Sequence, residues 1–398
     1  MSAASLTFDV LKTAVAGSAA AFRLTLRLEA VSPKVFPPTY EGGKYAEEKR
    51  RIKGHTEAVP CVLLDSVQSQ ANRMEAALQR AWVKERIDLP VIVVDLSTVN
   101  HPTLTKISSL QAPHRIADAI LRDSMLDGVY FRESRIGKEM DKLGSENANP
   151  LLRHCPTALL FGMWDSTYKR GGLGVKFARC IVSEIIGINV QIGSKAAIRM
   201  DPIQIKKTAV EAIYRSDEEF WTLDPKMAKL DKSKKPIKFG DGTPASVVHG
   251  NIPTKLTPGG FTIDEAEQTT VLSLPSIRRL RFPHSDSKAE QSCQVYIAAL
   301  GLLATALAIE DGFSLRSRCE LNPKHAVEWE LLGAPGQTPQ HYSLSADEAI
   351  KVYKLALDEC RKVGCQIETT SIELQPSEKF KKLITESMVR WASDSEAE

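Results

Sequence analysis

The chain is short of aromatic residues, of paired cysteines, of charge of one sign and of long apolar runs, and each shortage closes off a class of protein. Aromatics make up 6% of the 398 residues, which argues against a sheet that binds nucleic acid through rows of base-stacking rings. The seven cysteines, Cys61, Cys155, Cys180, Cys293, Cys319, Cys360 and Cys365, are scattered and odd in number, with no Cys-x-x-Cys pair and no His-Glu-x-x-His. They read as buried reduced thiols of a cytosolic protein, with no metal site and no cofactor expected. The amino terminus has no charged region followed by an apolar core, so no signal peptide is expected. The most apolar stretch, Val295 to Ile309, is too short to span a bilayer and reads as a buried helix, with no membrane partner. A formal net charge of +3 and a pI near 8.3 mean that any binding of a polyanion must come from local patches. What remains is a composition of 43% hydrophobic and 25% charged residues, that of a globular protein with an ample core and a length suited to two or three domains.

The most informative stretch runs from Leu159 to Arg179. An apolar, strand-like run ends in Trp164-Asp165-Ser166-Thr167. A glycine-rich bend containing Gly171, Gly172 and Gly174 follows, with Lys169, Arg170, Lys176 and Arg179 around it. Then comes a second strand-like run, Ile181 to Val190. Glycines let a backbone approach a partner closely, and the four cations suit a phosphate-bearing one. The bend fails both nucleotide fingerprints. Val175 separates Gly174 from Lys176, which breaks a P-loop, and Phe177 stands where a Rossmann turn needs a small residue. Taken alone, it reads first as a hairpin connection with an ordinary solvated charge cluster, and only the other basic elements weigh against that.

The flanking chain supplies the frame. Phe22, Leu24, Leu26 and Leu28 alternate with Arg23, Thr25, Arg27 and Glu29, which predicts a half-buried strand with two arginines on its outer face. Residues 31–58 are a proline- and glycine-rich surface excursion. After the apolar run Val59–Leu64, Asp65 and Gln68 form a capping box, and Val67, Ala71, Met74 and Leu78 repeat at helical spacing. The first turns of that helix carry Ser66, Gln68, Ser69, Asn72 and Arg73, short donors at a helix start that favours anions. Leu89–Leu96 reads as a buried strand, and residues 97–155 as a mostly helical insertion that includes a helix over 112–123. Within it His114 has no partner at metal or catalytic spacing, and with Arg115 it is counted here among the candidate contacts.

Beyond the bend, residues 217–284 change character. Lys226, Lys229, Lys232, Lys234, Lys235 and Lys238 crowd together, and Arg278-Arg279-Leu280-Arg281 follow, the look of a basic protrusion. Asp286 or Ser287 starts a long apolar helix through Ile309. Residues 313–321 alternate as a strand with Arg316 and Arg318 outward, and Ser345 with Glu348 caps a helix that ends near Gly364. A strand over 365–374 and a final helix complete the chain. The order is β-α-β-β-α-β, an α+β, ferredoxin-like (RRM-like) palm over 1–96, 156–216 and 285–398, with a finger-like helical insertion at 97–155 and a basic β-hairpin thumb at 217–284. With few aromatics, its open face would hold single-stranded RNA by the backbone.

The segments Val59–Met74, Ala112–Asp123 and Leu160-Phe161-Gly162-Met163-Trp164-Asp165-Ser166-Thr167 through Glu184 resemble the repeated backbone subunit of type I-G (formerly I-U) CRISPR Cascade complexes, of the RAMP superfamily. The Ser66–Arg73 helix start is also similar to a Ser-Ser-Gln…Lys-Arg motif of backbone subunits in related complexes. The resemblance implies a non-catalytic protein of the prokaryotic cytoplasm that polymerises along CRISPR RNA, helps the guide pair with target DNA, and partners other copies of itself. It also implies a large subunit, a guide-end-binding subunit and a recruited helicase-nuclease. The candidate RNA contacts are then Arg23, Arg27, the Ser66–Arg73 set, His114, Arg115, Trp164, Ser166, Thr167 and the bend's Lys169, Arg170, Gly171, Gly172, Lys176 and Arg179. Lys232, Lys234, Lys235, Arg278, Arg279 and Arg281 join them. Two alternatives stay open. One is an RNA-cleaving relative using Asp231 or Asp241, for which no cluster of hard metal ligands is evident; the other is a phosphometabolite enzyme using the 171–174 bend.

Overall fold

A computed structural model of the chain describes residues 3–54, 56–99, 103–165, 175–206, 208–250, 252–283 and 287–395. It is a mixed α+β fold with several sheets. Two compact units emerge, residues 1–191 with 261–381, and residues 192–260 with 382–398.

In the first unit, α1 (Phe8–Ala16) precedes β1 (Ala21–Ala30), the alternating segment expected from the sequence; Phe22, Leu24, Leu26 and Leu28 are all buried. The chain continues through β2 (Glu47–Arg50), β3 (Val59–Asp65) and α2 (Val67–Val83). After the 97–155 region come α3 (Pro156–Phe161), β4 (Met163–Asp165), β5 (Val175–Phe177) and β6 (Ile181–Ile188). Strands β7 (Gln191–Arg199) and β8 (Ile252–Thr262) pair with each other, and β9 (Glu265–Ser273) follows. Helix α4 (Ser287–Glu310), β10 (Phe313–Arg316), β11 (Cys319–Pro323), β12 (Glu328–Leu332), β13 (Gln340–Ser343) and α5 (Ala346–Lys362) complete the main elements. The large sheet runs β13–β12–β1–β9–β6–β3–β2, with β11 also on β1. Strands β9, β11 and β12 are antiparallel to β1, and β6 is antiparallel to β9.

Register decides what the sheet buries. Leu24 and Leu26 stand opposite Thr270 and Gln268, and Ser183 stands opposite Thr270 on the other side, so a polar row enters the covered face. Left unpaired it would cost several kcal/mol. Gln70 of α2 meets it: its Oε1 accepts from Gln268 Nε2 at 2.9 Å and from Ser183 Oγ at 3.0 Å, while Ser183 and Thr270 hydroxyls lie 2.7 Å apart. Gln70 Nε2 in turn donates to Asp65 at 2.6 Å. Asp65 is fully buried and also accepts from Ser69 Oγ at 2.8 Å, Arg73 Nε at 2.9 Å and Arg316 Nη2 at 3.3 Å. It is therefore the hub of a network rather than the cap expected from the sequence. Ser66 caps α2, accepting from the Ser69 N–H at 3.2 Å.

Helix α4 lies across this core. At Gly301 an added Cβ would come within 2.8 Å of a Leu272 methyl and 3.0 Å of a Leu160 methyl, so glycine spares those side chains a shift. Lys288–Glu310 has the length and a mean hydropathy of 1.8 that would suit a membrane span, longer than the stretch marked in the sequence, yet 83% of its apolar window is buried within the fold. It is a core helix. On the sheet's opposite face Arg23 pairs with Glu330 at 2.6 Å, and Arg27 with Glu265 at 2.5 Å and Glu267 at 3.0 Å. Arg50 pairs with Glu184 at 2.5 Å and Glu48 at 2.6 Å. Cross-strand carboxylates thus take up the charge that the sequence offers to an anion.

Five further expectations change. The apolar run before Gly162 is helix α3, started by Pro156 and stopped where Gly162 turns to φ +85°; a run this short has no period of its own. The single helix over 112–123 breaks at Arg115 (φ +54°) into a 3-10 turn and a short helix, Ala119–Arg122, capped by Asp118. The strand over 313–321 is the hairpin β10–β11, turned by Arg318 at φ +60°, whose guanidinium lies 4.0 Å from the Phe36 ring. Residues 97–155 also contribute strands Lys106–Ser108, Ser124–Leu126 and Val129–Tyr130 to a second sheet with Ile92–Asp95 and Ile372–Pro376. The inserted unit runs 192–260, whereas β9, expected inside the 217–284 insertion, is a central strand of the main sheet.

If Asp65 is the hub, Asp65→Ala strands Arg73, Arg316 and Gln70 together. We expect a loss of about 3 kcal/mol, read as a lower denaturant midpoint at an unchanged slope. A change within about 0.5 kcal/mol, the range of an indifferent surface site, would refute the assignment.

Candidate nucleic-acid interface

At the start of α2 the first unit carries a groove of about 390 Å³, open to solvent. Four segments wall it: Gln68 of α2, the turn Pro113-His114-Arg115, the α3–β4 junction from Phe161 to Trp164, and Lys176 to Arg179. Six residues singled out in the sequence, Gln68, His114, Arg115, Trp164, Lys176 and Arg179, meet here although they span more than a quarter of the chain. Ser166, Thr167, Lys169, Arg170, Gly171 and Gly172 lie outside the described residues.

Strands β4 and β5 pair antiparallel with Trp164 directly opposite Lys176, so both side chains leave the same face of the hairpin. Trp164 is 62% exposed, a high value for an indole. Lys176, Arg179, Gln68 and His114 are exposed too. Among the described residues no carboxylate lies within ion-pair distance of Lys176 or Arg179. An aromatic face beside uncompensated cations fits a base and its phosphate.

Buried groups hold this surface in place. Arg115 is itself buried: Nε and Nη2 donate to Glu75 Oε1 and Oε2 at 2.7 and 2.8 Å, and Nη1 donates to the Gly162 carbonyl at 3.0 Å. Its guanidinium also lies 5.4 Å from the Phe161 ring. Arg115 therefore positions the groove instead of offering it a free charge. Gly162 turns the chain from α3 into β4 at φ +85°, and a Cβ there would come within 2.9 Å of Arg179 Cγ and 3.1 Å of the Phe177 carbonyl. Burial pushes the Glu75 carboxyl up to about 7, against the pull of Arg115 and Arg179.

Other expected contacts serve the fold. Arg73 is held by Asp65 and donates to the Leu315 carbonyl at 2.5 Å, and Ser66 and Ser69 close the helix start. Asn72 is exposed on α2 outside the groove. Arg278 donates to the Ala19 carbonyl at 2.8 Å, Arg279 to Ser276 Oγ at 3.2 Å, and Arg281 pairs with Glu290 at 3.2 Å. In the second unit, Ile213, Phe239 and Val247 form a small core. Lys232, Lys234 and Lys235 are exposed on a turn tied by Asp231, whose Oδ1 accepts from the Ser233 and Lys235 N–H groups at 2.7 and 2.8 Å. Asp241 likewise accepts from Thr243 N–H at 3.0 Å and Ser246 Oγ at 2.5 Å. Sequence reasoning missed Glu75 and Gly162. A signal for the first was present, because Glu75 sits one turn after Ala71 on the apolar stripe of α2, where a carboxylate requires a buried partner.

Two outcomes follow from this geometry. Gly162→Ala should cost at least about 1–2 kcal/mol, from the left-handed φ and the clash together, and lower the melting temperature; an unchanged melt would mean that the junction adapts. The native Glu75 carboxyl binds its proton more tightly than an unfolded one near 4.5, so its contribution to stability falls as pH rises from about 4.5 to about 7. Glu75→Gln should remove that decline from the stability–pH profile, and a profile parallel to that of the wild type would refute it.

No curated protein matches the chain. Among solved structures, the crystal structure of Csc2 from Thermofilum pendens is similar at a TM-score of 0.27 and 12% identity, covering 95% of this chain and 79% of that one. Residues 24–192 match the family described as CRISPR-associated protein GSU0053 (Cas_GSU0053), a segment that ends where the second unit begins. Every residue of the groove falls inside the part of the chain that is similar to this CRISPR-associated family.

Proposed function

We propose that the chain is a non-catalytic CRISPR RNA-binding backbone subunit of a type I-G effector complex, several copies of which line one guide in the cytoplasm of a prokaryote. The observation that carries this reading is the groove, where Trp164, Lys176 and Arg179 stand uncovered at the start of α2 within the segment similar to a CRISPR-associated family. A subunit that accepts any guide sequence must hold phosphate, ribose and the flat of a base while leaving base edges free to pair with target DNA. The groove offers cations and one ring face, which suits that demand. Weak single contacts suffice, because the filament multiplies them.

The palm is ferredoxin-like on this reading: β1, α2, β6, β9, α4 and β11 follow one another as β-α-β-β-α-β, and the strands lie in the order β11–β1–β9–β6. Its open face carries the paired Arg23 and Arg27, so the guide belongs at the groove. The inserted unit 192–260 is the thumb, and the partners are target DNA, neighbouring copies, a large subunit, a guide-end-binding subunit and a helicase-nuclease. Asp231 and Asp241 spend their carboxylates on closing turns, which favours binding over cleavage.

Trp164→Ala should weaken binding of a labelled single-stranded RNA by about 1–3 kcal/mol without altering its salt dependence. Replacing Lys176 and Arg179 by alanine should flatten the log–log salt slope by about 0.7 for each phosphate left without its cation. Unchanged affinity and slope in all three variants, or magnesium-dependent RNA cleavage abolished by Asp231→Ala, would overturn the proposal.

A further inference from the structure

All seven cysteines are buried, and three of them meet. Helix α5 ends in a Schellman turn: Gly364 stands at φ +86°, its N–H donates to the Arg361 carbonyl at 3.0 Å, and the Cys365 N–H donates to the Cys360 carbonyl at 3.0 Å. That turn brings the third-last helical residue against the second residue beyond the cap, and both positions are cysteine. Helix α4 adds Cys293. Its Sγ lies 2.9 Å from Cys365 Sγ and 3.8 Å from Cys360 Sγ, and all three sulfurs fall within 4.8 Å of one another. Among the described residues no histidine or carboxylate joins them.

Sulfur as apolar filler accounts for one such contact at the end of a helix. It does not account for three sulfurs from separate positions converging on one point. The 2.9 Å separation is well beyond the roughly 2.05 Å of a disulfide bond. Around a tetrahedral ion with metal–sulfur bonds near 2.3 Å, neighbouring sulfurs lie about 3.8 Å apart. The Cys293–Cys360 pair already has that spacing, and the Cys293–Cys365 pair reaches it by opening about 0.9 Å.

We propose that Cys293, Cys360 and Cys365 form a three-thiolate site for a thiophilic d10 cation, Zn(II) or Cu(I), which fastens α4 to the end of α5. On binding, three S–H bonds release protons to solvent and three metal–sulfur bonds form, with no change of oxidation state. Zn(II) leaves a net charge of −1 in the buried site and Cu(I) leaves −2, so zinc is the better tenant.

The test uses the full chain, purified anaerobically with its thiols reduced, stripped by chelator and then dialysed separately against Zn(II) and Cu(I). We expect close to one ion per chain with Zn(II) and a higher melting temperature on reloading, and Cys180→Ala should keep both. Cys360→Val should bind less than a tenth as much and show no shift on reloading. Should that variant fail to fold, Co(II) added to the wild type provides the second reading: thiolate-to-cobalt absorption that Zn(II) abolishes supports the site. Binding below a tenth of an ion per chain with both metals overturns it. A Cys293–Cys365 disulfide in the protein as isolated, found by peptide mapping, also overturns it.

Discussion

Asp65 is a carboxylate with no access to water at the end of an interior strand, and the first unit is arranged to keep it satisfied. Two arginines, a glutamine and a serine converge on it from α2 and from β10. Gln70 extends the same network to Ser183 and Thr270 on β6 and β9. A one-residue slip of either strand would turn those hydroxyls to the other face and leave Gln70 without partners. The buried charge therefore sets the register of the sheet and the position of the helix together, a specificity that apolar packing alone supplies less sharply.

The groove inherits its shape from that arrangement. Helix α2 presents Gln68 outward and Glu75 inward, one side chain forming a wall of the groove and the other anchoring Arg115. Arg115 then reaches the Gly162 carbonyl and holds the turn that aims Trp164. The surface that would touch a ligand is thus braced by the Arg115–Glu75 ion pair, whose carboxylate is buried, which suits a site that must present the same face whatever sequence it meets.

Much of this is legible in the sequence. Strong periodicity marks β1 and α2, a long apolar run marks α4, and the capping box of Ser345 and Glu348 is present at α5 as expected. Trp164, Lys176 and Arg179 stand out by their setting around a glycine-rich bend. The failures share a cause. Residues 156–161 and 112–123 are too short or too broken for a period to declare itself, and left-handed residues such as Arg115 and Arg318 carry no compositional warning. Charge counting is the second weakness: Arg23, Arg27 and Arg278 look available in a string of letters, while their partners lie far along the chain, and Arg73 is taken by Asp65 just ahead of its own helix.

Strands β6 and β9 are direct neighbours whose last paired residues are Ile188 and Glu265. Just beyond them, Asn189 Nδ2 donates to Asp264 Oδ2 at 2.6 Å, and the Asp264 N–H donates to the Ile188 carbonyl at 3.1 Å. The two chain ends that carry residues 192–260 are therefore already stitched at the spacing a tight reverse turn would need. Since the entropy of closing a loop grows only with the logarithm of its length, the sheet is nearly indifferent to what is spliced in at that point. Lineages could lengthen, shorten or exchange the insert as a cassette while the hydrogen-bonded frame beneath it stays the same.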